Sequence, residues 1–152
     1  IDQELAAVRD EYALPADDTA RPARTAFRRI ATVELQVRVD RYPTSRYALL
    51  ELRPETGRRH QLRRHLAHVS HPIIGDSTYG KGRHNRLFAD LYGVRRLMLA
   101  CTGLQFQHPA SGELIAIRAA PGEEFESLAA TFGWPSLPAA SVVSQASASL
   151  SP

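Results

Sequence analysis

Alternating apolar and polar positions predict a β-hairpin in the first third of the chain. Between residues 31 and 39, valine and leucine side chains alternate with polar ones, which is the period of a strand with one buried face. A turn containing a proline follows at residues 40–45, and residues 46–53 predict a second strand, antiparallel to the first.

A helical period follows this hairpin. Over residues 56–69 the spacing places Leu62, Leu66 and Val69 on one narrow apolar stripe. Thr56 is the predicted N-cap, and the Ser-His-Pro sequence after Val69 is expected to end the helix.

The remaining patterns are shorter, and together they predict an α+β fold with a mixed, largely antiparallel sheet and packed helices. We expect the domain to span residues 27–135, after an N-terminal remnant and loop at 1–26, and the Ser/Ala-rich tail at 136–152 to be disordered. Residues 1–12 are expected to form a short helix or to be the frayed remnant of a larger element. The other expected elements are a mobile loop at 77–86, a short helix at 87–92, strands at 96–108 and 113–119, and an amphipathic helix at 123–132.

Positive charge is concentrated in the middle of the chain. The net charge is only +3, but residues 53–96 hold ten Lys and Arg against three acids, whereas the rest holds nine against thirteen. Such a concentrated field suits a polyanion, and RNA is the partner that we expect.

The cysteine content and the hydropathy of the chain indicate the cellular compartment in which the protein is expected. The single Cys101 excludes an intramolecular disulfide, fits a reducing cytoplasm, and lies in an apolar run that predicts burial. No apolar stretch is long enough to span a membrane. Because Met98 is the only methionine, Ile1 is not a translation start, and we expect upstream sequence to be missing.

The basic helix places like charges side by side. In a helix from Thr56, Arg59 and Arg63 would form one ridge beside the apolar stripe, and His60, Arg64 and His68 another. Like charges at this spacing oppose helix formation, so the arginines are expected to face an anion, either phosphate or carboxylate. A solvated basic face on an ordinary surface helix is the alternative.

Two segments resemble the signature of the RluA-type pseudouridine synthases. The first is Thr56-Gly57-Arg58-x-His60-Gln61-Leu62-Arg63-x-His65-Leu66-Ala67-His68, followed by His71-Pro72-Ile73-Ile74-Gly75-Asp76. The second segment is Arg41-Tyr42-Pro43-Thr44-Ser45-Arg46-Tyr47. This segment and the doubled arginine at 63–64 are most similar to the members of that family that act on tRNA.

The resemblance extends from about residue 25 to residue 134 and implies a catalytic role without cofactor or metal. By the family's pattern, Arg63 pairs with the nucleophilic Asp and Leu62 packs against the base. The nucleophile lies in a His-Arg-Leu-Asp-type motif that this sequence does not contain. The resemblance therefore implies the C-terminal half of a catalytic domain, inactive by itself, with the missing N-terminal half as its partner.

Other polar residues around the motif are candidate RNA contacts, although for each an ordinary surface salt bridge or solvated loop is an alternative. Asp76 could be a substitute acid, but a local cap in its turn is the preferred interpretation. Three motif histidines do not converge on a helical wheel, so no metal site is expected. The candidate contacts are Arg58, Arg59, His60, Gln61, Arg64, Lys81 and Arg83.

These observations leave several functions open. The first is a pseudouridine synthase acting on tRNA, near the junction of T stem and acceptor stem, as the resemblance implies. A synthase acting on large-subunit rRNA is the alternative within the class. A non-catalytic RNA-binding module and a protein-interaction surface are the alternatives outside it.

Overall fold

The computed structural model describes residues 1–7, 19–136 and 141–145. The chain divides into two compact units, Ile1–Met98 and Leu99–Pro152. Within the described residues there are three helices and two antiparallel sheets, which confirms the α+β class. The single sheet that the sequence predicted is replaced by a two-stranded sheet in the first unit and a three-stranded sheet in the second.

The hairpin of the first unit is formed by β1 (Thr25–Leu35) and β2 (Ser45–Pro54), paired antiparallel. β2 confirms the second predicted strand, but β1 begins six residues before the predicted one. The alternation of apolar and polar residues could not reveal where β1 starts, because the start depends on distant backbone partners. The backbone N–H of Thr25 donates to the carbonyl of Ile1 (2.9 Å). Val37 lies beyond the strand, where its carbonyl accepts a bond from the Ser45 hydroxyl (2.8 Å).

The predicted N-terminal helix is wrong for residues 1–7, which lie against residues 21–25 in bridge-like backbone pairing. The N–H of Leu5 donates to the carbonyl of Arg21 (2.9 Å), and Leu5 is buried. A backbone partner elsewhere in the chain outweighs the weak local helical pattern here. Residues 8–12 of that prediction lie outside the described part.

Two helices complete the first unit: α1 (Gln61–His68) and α2 (Gly82–Tyr92). α1 begins four residues later than predicted, with His60 rather than Thr56 as its N-cap. α2 begins within the segment predicted to be a mobile loop. The unit's buried apolar side chains come from its strands, helices and loops, and they include Leu49, Leu66, Ile73, Phe88 and Val94.

The second unit contains β3 (Gly103–Gln107), β4 (Leu114–Arg118), α3 (Glu123–Thr131) and β5 (Ser141–Gln145), with strand order β3-β4-β5. The predicted hairpin and helix are confirmed, but the predicted extension of the first strand back to Arg96 is wrong.

Two further expectations for this unit differ from the structure. β5 lies within the tail predicted to be disordered, because backbone pairing with β4 orders residues whose composition alone would not. Residues 137–140 and 146–152 of that tail lie outside the described part. Cys101, predicted to be buried, is exposed.

Candidate functional site

The arginine that the motif singled out is held by a carboxylate of the same chain. Arg63, in the first turn of α1, donates from Nε to Oδ2 of Asp76 and from Nη2 to Oδ1, both at 2.8 Å. The Asp76 side chain is fully buried, and that of Arg63 is 17% exposed. Planar, two-pronged pairing of this kind fixes the orientation of the guanidinium as well as its position.

Asp76 is also the local cap that the sequence analysis preferred. Its Oδ1 accepts the backbone N–H groups of Thr78 (2.9 Å) and Tyr79 (2.8 Å). Mainly because of the bonds from Arg63, and despite burial, the pKa of Asp76 falls to about 2. The carboxylate is therefore ionised at any physiological pH, and it is enclosed rather than offered to a substrate.

The turn that carries Asp76 is fixed from α2. Asn85 accepts the N–H of Gly75 through Oδ1 and donates from Nδ2 to the carbonyl of Asp76, both at 2.9 Å. Gly75 has φ +78°, and a Cβ there would lie 1.8 Å from the carbonyl oxygen of Arg96. Sequence patterns do not reveal Asn85, since a lone asparagine on a helix carries no signal of its tertiary contacts.

An aromatic ring and an imidazole complete the cluster around the guanidinium. The Cζ atom of Arg63 lies 5.0 Å from the ring centroid of Tyr79, and the Tyr79 hydroxyl hydrogen-bonds to Nδ1 of His60 (3.2 Å). His60 has the left-handed backbone conformation, with φ 55°. Burial and the charge of Arg63 lower the pKa of His60. We name these four residues, Arg63, Asp76, Tyr79 and His60, the arginine cluster.

Gln61 was predicted to contact RNA, but its side chain is buried and hydrogen-bonded within the chain. Its Oε1 accepts the hydroxyl of Thr56 (2.8 Å) and the N–H of Arg58 (3.0 Å). Its Nε2 donates to Thr25 Oγ1 (3.0 Å) and to the carbonyl of Arg24 (3.0 Å). These bonds shape the turn before α1 and explain why Thr56 is not the cap of that helix.

The other predicted contacts fall into two groups. Arg58 and Arg64 face the N-terminal segment, where Arg58 Nε donates to the carbonyl of Pro22 (3.3 Å) and Arg64 Nη1 to that of Ala6 (2.8 Å). Arg59 is exposed in the turn before α1 and so cannot form the helical ridge predicted with Arg63.

The second group lies at the start of α2, where Lys81 and Arg83 are exposed. Leu62, predicted to pack against a base, is half-buried on α1 beside Arg63. The structure thus places His60 beside Arg63, whereas Arg58 and Arg64 hydrogen-bond to the N-terminal segment.

Two further findings concern the described residues only. Among them, no group of three or more His, Cys, Asp or Glu side chains is arranged to hold a metal ion. In the same part of the chain, no helix combines the length and hydrophobicity needed to cross a bilayer.

The sequence of the chain matches a known protein family and several known proteins. Residues 9–68 match the family described as RNA pseudouridylate synthase. The chain is 46% identical over 132 residues to tRNA pseudouridine synthase C of Vibrio cholerae, covering 87% of this chain and 54% of the relative. It is 50% identical over 118 residues to the protein of that name from Salmonella typhi, covering 78% of this chain and 45% of the relative.

The chain thus spans about half the length of these relatives. No solved structure matches it significantly. The family match includes the hairpin and α1 with Arg63, and the relatives extend the likeness over most of the chain. The chain is therefore similar, over most of its own length, to RNA pseudouridylate synthases of the RluA type.

Proposed function

We propose that this chain supplies the arginine-bearing wall of the active site of a pseudouridine synthase that acts on tRNA, near the junction of T stem and acceptor stem. The choice of tRNA is supported by the names of the relatives, which are tRNA pseudouridine synthases, and by the basic middle of the chain. Because these relatives are bacterial proteins, and tRNA lies in the cytoplasm of bacteria, we propose the cytoplasm as the place of action.

The observation that carries this proposal is the orientation of Arg63. Its two bonds to Asp76 run through Nε and Nη2, so the Nη1 edge of the guanidinium takes no part in them. Tyr79 covers part of one face of the group. A cation fixed in this way presents a defined edge to a second anion without rearranging.

In the proposed reaction, that second anion is the nucleophilic carboxylate. A buried carboxylate needs a cation to stay ionised, and the Nη1 edge of Arg63 supplies one. Leu62 packs against the unstacked uracil, while Arg59, Lys81 and Arg83 bind phosphates of the RNA. The isomerisation breaks the glycosidic bond at N1 of uracil and forms a new bond at C5, from which a proton is released.

The nucleophile itself must come from outside this sequence, which contains no His-Arg-Leu-Asp-type motif. We propose an N-terminal half of the same domain as its source. Reading the coding sequence upstream of Ile1 tests this cheaply: the motif is expected there, and a start codon close to Ile1 would instead favour a non-catalytic RNA-binding module.

The activity is tested on the intact protein with tRNA and rRNA, each labelled with tritium at C5 of uridine. Release of tritium from tRNA is expected, and it should fall at least about a thousandfold in Arg63→Ala, because the variant removes a fixed charge at the reacting carboxylate. Arg28→Ala is the matched control, since Arg28 is an exposed arginine of β1 paired with Glu51. Release from rRNA alone would contradict the choice of tRNA.

A further inference from the structure

A second group of basic and aromatic side chains lies where the β1–β2 loop meets α2. The loop contributes Arg38, Arg41 and Tyr42, and the start of α2 contributes Lys81 and Arg83. All five residues are exposed. We name these five residues the loop surface.

The loop is tied to α2 by a chain of hydrogen bonds. Asp40 Oδ2 lies 3.1 Å from Nε2 of His84, and Nδ1 of the same ring lies 2.8 Å from the hydroxyl of Tyr47 on β2. Tyr47 packs edge-on against the buried Phe88 of α2, with ring centroids 4.7 Å apart. Arg38 Nε also donates to the carbonyl of Asp40 (3.2 Å). The β1–β2 loop is therefore anchored on α2 beside the exposed residues of the loop surface.

Tyr42 presents an aromatic face to solvent. Its relative exposure is 58%, the largest among the exposed large hydrophobic side chains of the described residues. Arg41 lies over one face of the ring, with Cζ 4.6 Å from the centroid, and donates to the phenolic oxygen. One face is thus covered by a cation, and the other remains for a planar partner.

The charge around this ring is positive. Four of the five residues of the loop surface are cations, and the acid next to them, Asp40, is already engaged by His84. The hydrogen bond from His84 lowers the pKa of Asp40, and the charges of Lys81 and Arg83 lower it further, so both cations lie near Asp40. An exposed aromatic face surrounded by cations suits an unpaired nucleotide, whose base stacks while its phosphates bind arginine. An acidic peptide would use the cations but not the ring.

We propose that the loop surface binds an unpaired stretch of RNA, with a base stacked on Tyr42 and the adjoining phosphates bound by Arg38 and Arg41. This inference rests on the proposed function for RNA as the partner. It adds the β1–β2 loop, with Arg38, Arg41 and Tyr42, to the phosphate contacts already proposed for Lys81 and Arg83.

The test measures binding of the intact protein to fluorescein-labelled twelve-residue oligouridylate by anisotropy, at several salt concentrations. Tyr42→Ala should weaken binding about tenfold without changing the salt dependence, since stacking involves no counterion release. Tyr42→Phe should bind within about twofold of wild type, because the ring is kept. Arg38→Ala combined with Arg41→Ala should reduce the slope of log affinity against log salt by about 0.7 for each phosphate that the variant no longer binds.

Two matched controls are available on β1. Phe27 is an aromatic residue of similar exposure (54%), and Arg28 has a side chain that is 72% exposed. Phe27→Ala and Arg28→Ala should bind as wild type does. The proposal is overturned if Tyr42→Ala also binds as wild type, if Phe27→Ala weakens binding equally, or if Tyr42→Phe is as weak as Tyr42→Ala. It is also overturned if a glutamate-rich peptide, rather than the oligonucleotide, loses affinity in the variants.

Tritium release distinguishes this inference from the proposed function. If the intact protein isomerises no uridine but Tyr42→Ala still weakens oligouridylate binding, the loop surface stands and the proposed function fails. If tRNA is isomerised and Tyr42→Ala binds RNA normally, the proposed function stands and the loop surface fails.

Discussion

At the scale of single residues, the pairing of Arg63 with Asp76 has two consequences. The carboxylate uses both oxygens on the guanidinium and accepts two backbone N–H groups, so it fixes a side chain and a turn together. It also partly neutralises Arg63, which then presents a weaker field to any further anion than an unpaired arginine would.

This pairing predicts a pH dependence of stability. The folded-state pKa of Asp76 is about 2, below its ordinary value of 3.8. The stabilisation is therefore fully present above pH 4 and is lost as the pH falls through 2. Its size is about 2 kcal/mol, at 1.36 kcal/mol for each pKa unit. Urea unfolding of wild type and Asp76→Asn between pH 2 and 6 should show the two stabilities converging at the acid end.

Asp90→Asn is the control for this measurement, since Asp90 is an exposed carboxylate on α2. The same pH series is recorded for Asp90→Asn. A difference between Asp76→Asn and wild type that does not change between pH 2 and 6 would show that Asp76 gains nothing from its charge.

At the scale of elements, the turn between α1 and α2 determines where the arginine cluster lies. The turn is held by Asn85 of α2, and its two ends are crowded glycines. A Cβ at Gly80 would lie 2.1 Å from the carbonyl oxygen of Asp76, whereas a Cβ at Gly82 would meet nothing within 4 Å. The neighbouring glycines therefore have different roles.

This contrast predicts opposite effects of the same substitution. Gly80→Ala should lower the free energy of unfolding by about 2 kcal/mol or more, because the backbone that carries Asp76 must move. Gly82→Ala should leave it unchanged or raise it by up to about 1 kcal/mol, since alanine favours the first turn of α2. Chemical denaturation measures both, and equal decreases would contradict the crowding argument.

At the scale of the whole molecule, the two units differ in charge and in exposed surface. Eighteen of the nineteen Lys and Arg residues lie in the first unit. In the second unit, β3 lies at one end of the described strand order, and Leu104 (54%) and Phe106 (39%) on it are exposed. An exposed apolar edge strand is a site for pairing with another chain.

We expect this chain by itself to self-associate through β3. Leu104→Lys should shift the chain toward monomer in analytical ultracentrifugation, because a charged edge opposes strand pairing. Leu91→Lys is the matched control, since Leu91 is similarly exposed (52%) but lies on α2. Equal shifts in the two variants would indicate general hydrophobic association rather than strand pairing.

Local patterns in the sequence were sufficient to predict β2, the β3–β4 hairpin and α3. Alternation, turn residues and helical spacing all reflect interactions between near neighbours in the sequence. The motif around Arg63 was sufficient to indicate the similarity to RNA pseudouridylate synthases. Tertiary structure alone decided the start of α1, the burial of Gln61, the partner of Arg63 and the pairing of β5. Each of these depends on hydrogen bonds between residues far apart in sequence, and no periodicity records such bonds.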